Sequence, residues 1–230
     1  MTAPAPAGRQ LDAWLRLLRP ALHRTLDRIW TVPQPALVYP EFLHLTHQLL
    51  RASVPMMESA RDRCAELAAG GDPVAAALHP YWQRHIAEEA GHDDWVREDL
   101  AALGRDPDEV WARFPCASVA SAVGAQYFWI RHRHPASLLG YVAVTEGSPP
   151  PPDVAAVLSD RTGLPRAAFR TLQRHAVLDR HHRDELRRTI DALPGDAQLA
   201  ATVRLSALHT LNMLTSAFAG LLASPEGACR

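Results

Sequence analysis

Positions 175, 179 and 182 hold histidine, aspartate and histidine, within the run Arg174-His175-Ala176-Val177-Leu178-Asp179-Arg180-His181-His182. A helix turns by about 100° per residue, so His175, Asp179 and His182 share one stripe roughly 60° wide. Two imidazoles and a carboxylate on one stripe make half of a site for a divalent cation. His181 points about 100° away from His182, toward solvent or a neighbour. Arg170, Arg174, Arg180, Arg183 and Asp184 crowd the same segment, so taken alone it also reads as a solvated face.

A second segment carries the same donor types: His85-Ile86-Ala87-Glu88-Glu89-Ala90-Gly91-His92-Asp93-Asp94-Trp95. Glu89 and His92 have the Glu-x-x-His spacing that sets a carboxylate and an imidazole on one helix face. His85 precedes His92 by two turns, is nearly eclipsed with it, and is expected as an alternative ligand or as support behind the ligands. Glu88 precedes His92 by four, and either replaces Glu89 as a ligand or supports its neighbours from behind. Asp93, Asp94, Glu98 and Asp99 leave an acidic surface face as the alternative. The third element is Glu146, the sole acid in the apolar run 138–146. A buried, unpaired carboxylate costs several kcal/mol, and a cation offsets that cost. The alternative is an exposed helix end beside Gly147.

Glu89, His92, Glu146, His175, Asp179 and His182 together offer three carboxylates, three imidazoles and no thiolate. Mixed oxygen and nitrogen ligation suits iron or manganese and disfavours closed structural zinc. Six side chains exceed what one ion needs while keeping positions open. Two ions sharing a bridging carboxylate fit better. His44 and His47, one turn apart beside an apolar stripe, read as core or pocket lining rather than ligands.

These donors need helices to hold them, and the sequence is helical throughout. Leu11, Leu15, Leu18, Leu22, Leu26 and Ile29 recur at helical spacing, with Pro20 expected to kink or split the stripe. Thr31 to Pro40 holds three prolines and reads as a loop, and Glu41 to Ala69 restores the helical pattern. One long helix is expected from Asp72 to Leu103, capped by Asp72, opened by Pro73, bent at Pro80 and closed by Gly104. Shorter helices follow near 107–111, 118–132, 138–146 and 153–159. Pro165 opens the helix bearing His175, and Asp196 is placed to cap a last one. No alternating strand pattern occurs. The expectation is an all-α bundle of about seven helices, with residues 1–9 a disordered tail and 10–224 a single domain.

The 230 residues are 47% hydrophobic with a net charge of −1, enough for a substantial core and without the basic excess of a nucleic-acid binder. Cys64, Cys116 and Cys229 are too few and scattered for a disulfide framework or a cysteine zinc site. The start lacks the features of a signal peptide, and no uninterrupted apolar stretch approaches a membrane span. A cytoplasmic protein without membrane or nucleic-acid partners is expected.

His-x-x-x-Asp-x-x-His at 175–182, Glu-Glu-x-x-His at 88–92 followed by Trp95 and 99–104, and the apolar helix ending in Glu146-Gly147 resemble the three metal helices of the haem-oxygenase-like di-iron oxidases and oxygenases, relatives of the TenA/PqqC-type fold. The segments cover most of 75–190 in the family's order. One departure is His85, which stands where some members place a glutamate seven positions before the histidine. The resemblance implies two Fe(II) ions that activate O2 to oxidise a small molecule. The substrate is then an amino acid or fatty acid, and the outcome N-oxygenation, desaturation or oxidative C–C cleavage, in biosynthesis. It admits an external electron donor and a homodimer. Arg131, His132, Arg133 and His134, after the aromatic run 127–129, offer a charged fork for a substrate carboxylate. The competing reading is a metal-free oxidase, or a binding protein of the same fold like PqqC and TenA. TenA-like chemistry would need Cys64 or Cys116 as nucleophile.

Overall fold

The computed structural model describes residues 6–194 and 197–223. Among these residues the chain forms α1 (Ala7–Leu18), α2 (Pro20–Ile29), α3 (Pro35–Ala69), α4 (Pro73–Glu89), α5 (His92–Ala102), α6 (Glu109–Ala112), α7 (Ala117–His132), α8 (Leu138–Thr145), α9 (Val154–Thr162), α10 (Arg170–Ala192) and α11 (Ala197–Ala223). Two short 3-10 turns lie before α8 and α10, and no strand occurs among the described residues. The all-α expectation holds. The segments outnumber the expected seven because turns cut several stripes that periodicity alone reads as continuous.

Pro20 splits the first stripe, as expected, between α1 and α2. The tail expected over 1–9 is helical from Ala7, where Gly8 N–H donates to Asp191 Oδ1 at 2.7 Å, tying α1 to α10; residues 1–5 lie outside the described residues. The expected loop at Thr31–Pro40 is shorter than its prolines suggested, because α3 starts at Pro35. Proline at a helix's first position gives up no hydrogen bond, its φ being already helical. Val38, Tyr39 and Pro40 are buried, so packing holds the next turn despite the second proline. The long helix expected over 72–103 is two helices, α4 and α5, parted at Ala90-Gly91. Asp72 caps as expected, accepting the N–H groups of Val74 and Ala75 at 2.9 Å. The Asp196 cap falls outside the described residues.

Two packing features position the functional helices. The first is the seat of α8, whose residues 138–144 are all buried against α11 and α3. A Cβ on Gly140 would stand 2.2 Å from the Val203 carbonyl oxygen, so only glycine lets α8 approach α11 this closely. That seat delivers Glu146 into the interior. The second is Asp99 on α5, whose two oxygens accept the N–H groups of Arg170 and Thr171 at 2.9 and 3.0 Å. It caps the start of α10 from a different helix and so fixes α10 against α5.

An aromatic cluster of Trp30, Tyr39, Phe42, Phe169 and Phe218 fills one end of the core, with ring centroids 4.6–6.0 Å apart. Among the described residues α11 is the one helix long and apolar enough to cross a membrane by length and composition. Its apolar window is 44% buried, and Val203, Ala207, Leu211, Leu214 and Phe218 pack into the bundle as a core helix does.

Candidate metal centre

Glu89 is the last residue of α4 and His92 the first of α5. Between them Ala90 is extended and Gly91 takes φ = +82°, a left-handed conformation that side chains resist. The Glu-x-x-His pair is therefore not on one helix face, as its spacing suggested. It spans a corner, and the corner turns both side chains inward. Glu89 Oε2 stands 3.1 Å from His92 Nδ1.

The donor atoms fall into two inner groups that share Glu89, with a third, more exposed group of His85, Glu88 and Glu185 on the outer side. His85, Glu89, Glu146 and His182, all buried, offer atoms within 4.8 Å of one another. Glu89, His92 and His175 form the second group on the same criterion. An octahedral ion with bonds of about 2.1 Å places neighbouring donors about 3 Å apart and opposite donors about 4 Å apart, so both groups have the span an ion needs. In the first, Glu146 Oε2 lies 3.2 Å from both His85 Nε2 and His182 Nδ1. Glu89 Oε1 lies 3.4 Å from His182 Nδ1. Glu89 Oε1, Glu146 Oε2, His92 Nδ1 and His182 Nδ1 are buried without a hydrogen-bond partner despite these short separations. His85 Nε2 is hydrogen-bonded to Glu146 Oε1 at 3.3 Å, and the four atoms left without a bond suit a shared cation. The chemistry of the set, carboxylate and imidazole without thiolate, fits iron.

His85, expected as an alternative ligand or as support behind the ligands, stands in the first group. Both ring nitrogens face carboxylates, Nε2 toward Glu146 and Nδ1 toward Glu88 Oε2 at 3.7 Å. Glu88 also lies 3.5 Å from His182 Nε2, so it backs two imidazoles from the outer side while Glu89 faces in. On α10, His175 and His182 are two turns apart, about 10 Å along the axis. They consequently belong to different groups instead of sharing one, and His181 is exposed. His175 Nδ1 donates to the Thr171 carbonyl at 2.8 Å, which leaves Nε2 as its free donor atom.

Asp179 joins neither group. It lines the adjoining cavity, with Oδ1 buried and unpartnered. Burial first, then the neighbouring Glu146 and Glu89, pushes its carboxyl up to about 9. Burial would also raise Glu146, but the imidazoles of His85 and His182 outweigh it and hold that carboxyl well below the usual range. Burial lowers His85 and His182, and the Glu146 carboxylate reverses this, leaving both raised. In the protein alone, Glu146 and the imidazoles of His85 and His182 favour one another's charged forms, a role that a cation would otherwise fill.

Glu146 is 8% exposed, so it is no solvent-facing helix end. A cavity of about 230 Å³ reaches Glu89, Glu146, His175 and Asp179 and is otherwise walled largely by apolar residues such as Phe42, Leu49, Leu214 and Phe218. The proposed fork at 131–134 does not face it. His132, Arg133 and His134 line a separate depression with Asp72 and Gln198, because α7 ends on the far side of Pro135. His44 and His47 are buried and join neither inner group. His44 Nε2 lies 3.0 Å from Glu109, and His47 packs against Trp111. Two features escaped sequence reasoning: the Asp99 cap, which has no local partner, and Arg19 on the cavity wall, marked only as a cation before Pro20 in an apolar stripe.

A family model described as iron-containing redox enzyme matches residues 67–215. No curated protein sequence matches the chain significantly. Among solved structures, the chain is similar to a domain of unknown function with a haem-oxygenase-like fold from Shewanella denitrificans OS217. There the TM-score is 0.66 and the identity 15%, over 94% of this chain and 97% of that one. It is also similar to a TenA homolog from Pseudomonas syringae pv. tomato DC3000, with a TM-score of 0.57 and 16% identity over 94% and 96% of the chains. At such identities these likenesses establish the haem-oxygenase-like fold.

Proposed function

Since the chain belongs to the iron-containing redox enzyme family, we propose that it is an O2-dependent di-iron oxidase or oxygenase of a small molecule. His85, Glu89, Glu146 and His182 would hold one Fe(II), and Glu89, His92 and His175 the other, with Asp179 beside them on the cavity wall. The observation that carries the reading is Glu89, which is common to both donor groups. A carboxylate turned to two groups is what a pair of ions needs as a bridge, and a single-ion site has no use for the second group. The ions, when bound, supply the electrons that reduce O2.

The chain's own residues do the rest. The Thr171 carbonyl fixes the ring orientation of His175, and the Glu88 carboxylate faces the outer nitrogens of His85 and His182 at 3.7 and 3.5 Å. The apolar wall of Phe42, Leu49, Leu214 and Phe218 keeps bulk water from the substrate. The substrate class is an amino acid or fatty acid, oxidised by N-oxygenation, desaturation or C–C cleavage in a biosynthetic setting. A homodimer and an external electron donor belong to the same proposal.

The metal-free TenA-like reading draws on the shared fold, but its chemistry needs a thiolate. Burial pushes the Cys64 thiol up to about 12, and neither Cys64 nor Cys116 lines the cavity. The test is anaerobic Fe(II) reconstitution with an iron count per chain, followed by O2 mixing against a panel of amino and fatty acids. Two irons per chain, with one compound accelerating O2 consumption, support the proposal. A chain that retains no iron sinks it.

A further inference from the structure

Arg19 lies between α1 and α2, 7% exposed, on the wall of the cavity that reaches Glu146. Its Nη2 donates to the Ala143 carbonyl at 2.6 Å, closing the last turn of α8. That bond uses one of the guanidinium's five donors. Nε is buried with no acceptor. The charges acting on Arg19 are Asp12, Arg16 and Arg183, and Asp12 is already gripped by Arg187 at 2.5 Å. A buried cation without its own counter-ion is costly. Capping one carbonyl accounts for a single donor and leaves the charge unanswered.

Much of the remaining wall is apolar, beside polar residues that include His23, Thr46, Ser53 and Thr171. Phe42, Leu49, Leu214 and Phe218 give the cavity an apolar side, and its volume of about 230 Å³ exceeds the roughly 150 Å³ of an apolar protein cavity that takes up benzene. One cation and an apolar wall, in a cavity shared with the carboxylate and imidazole donors, describe an amphipathic ligand in negative image.

We infer that Arg19 is an anion subsite, receiving the carboxylate of a monocarboxylic acid whose apolar part lies along Phe42, Leu49, Leu214 and Phe218. This deepens the proposal above and rests on it for the cavity being the substrate site. The carboxylate then sits on the guanidinium, through charge-assisted bonds, and the carbon chain lies in the cavity that Glu89, Glu146 and His175 also line.

Calorimetric titration of metal-free protein with octanoate and 3-phenylpropanoate, against 1-octanol and 3-phenylpropanol, tests this without any metal to hold the carboxylate. At least one acid is expected to bind about 10- to 100-fold tighter than its alcohol, the worth of a charged hydrogen-bonded contact. Arg19→Gln abolishes that preference while the alcohol's affinity stays within about threefold, and Arg19→Lys keeps part of the preference. No preference in the wild type, or an equal loss for acid and alcohol in Arg19→Gln, overturns the subsite. The iron count separates the two ideas. Two irons without acid preference remove the subsite alone, and acid preference without iron removes the metal centre alone.

Discussion

Glu89 Oε2 and His92 Nδ1 stand 3.1 Å apart across a break between two helices, and the other oxygen of the same carboxylate stands 3.4 Å from His182 Nδ1. One side chain thus faces donors from α5 and α10 at once. Replacing it should affect both ions. Glu89→Ala is expected to reduce bound iron from two per chain toward zero, with affinity falling by more than the roughly 10- to 100-fold typical of losing a supporting residue. His175→Ala should leave one iron. Equal iron counts in the two variants would contradict the shared-carboxylate arrangement.

Glu88 touches the outer nitrogens of His85 and His182 without entering the inner groups. Glu88→Gln should keep two irons at saturation but weaken their retention about 10- to 100-fold. Competition with a calibrated chelator measures this. Complete loss of one iron would move Glu88 among the direct ligands.

Gly91 has φ = +82° and nothing within 4 Å of where a Cβ would sit. Backbone conformation, not space, therefore requires glycine there. Gly91→Ala should cost about 1–2 kcal/mol, lowering Tm by roughly 2–8 °C for a chain of this size. If the corner also positions Glu89 and His92, iron retention falls in the same variant. An unchanged Tm would mean that the corner relaxes into continuous helix.

His47 is buried with neither ring nitrogen partnered, and burial lowers its pKa to about 4. Unfolding restores it to about 6.5, so the unfolded chain binds more protons between those values. Stability is then full above about pH 6.5 and falls as the pH drops toward 4. The difference amounts to about 3 kcal/mol at most, and His44, also lowered by burial, acts in the same direction. Denaturant unfolding of metal-free wild type and His47→Leu across this window should show a flatter profile in the variant. Parallel profiles would mean that His47 is already paired or hydrated.

What the sequence by itself determined was the set of chemical parts and their helical carriers. Stripes at 3.6-residue spacing, prolines and the Asp72 cap mark most of the helices, because these signals act within a few residues of chain. The donor types are equally local: a lone acid in an apolar run pointed to Glu146, and His175 and His182 stood out by their spacing. The corner at Ala90-Gly91 was less visible, since Glu-x-x-His reads identically on a continuous helix and across a break.

Only the tertiary structure decided which donors meet. His85 enters the inner group because α8 brings Glu146 against it, through a helix approach that Gly140 permits and Val203 receives more than sixty residues further along. Asp179 shares the stripe of His175 and His182 yet ends on the cavity wall, because two turns of α10 carry the histidines to separate groups. Asp99 caps a helix seventy residues away, and Arg19 meets the end of α8 across an even longer span. Periodicity reports how a segment is divided between core and solvent. Which buried groups become neighbours depends on how whole helices pack, and that is set by contacts distant in the chain.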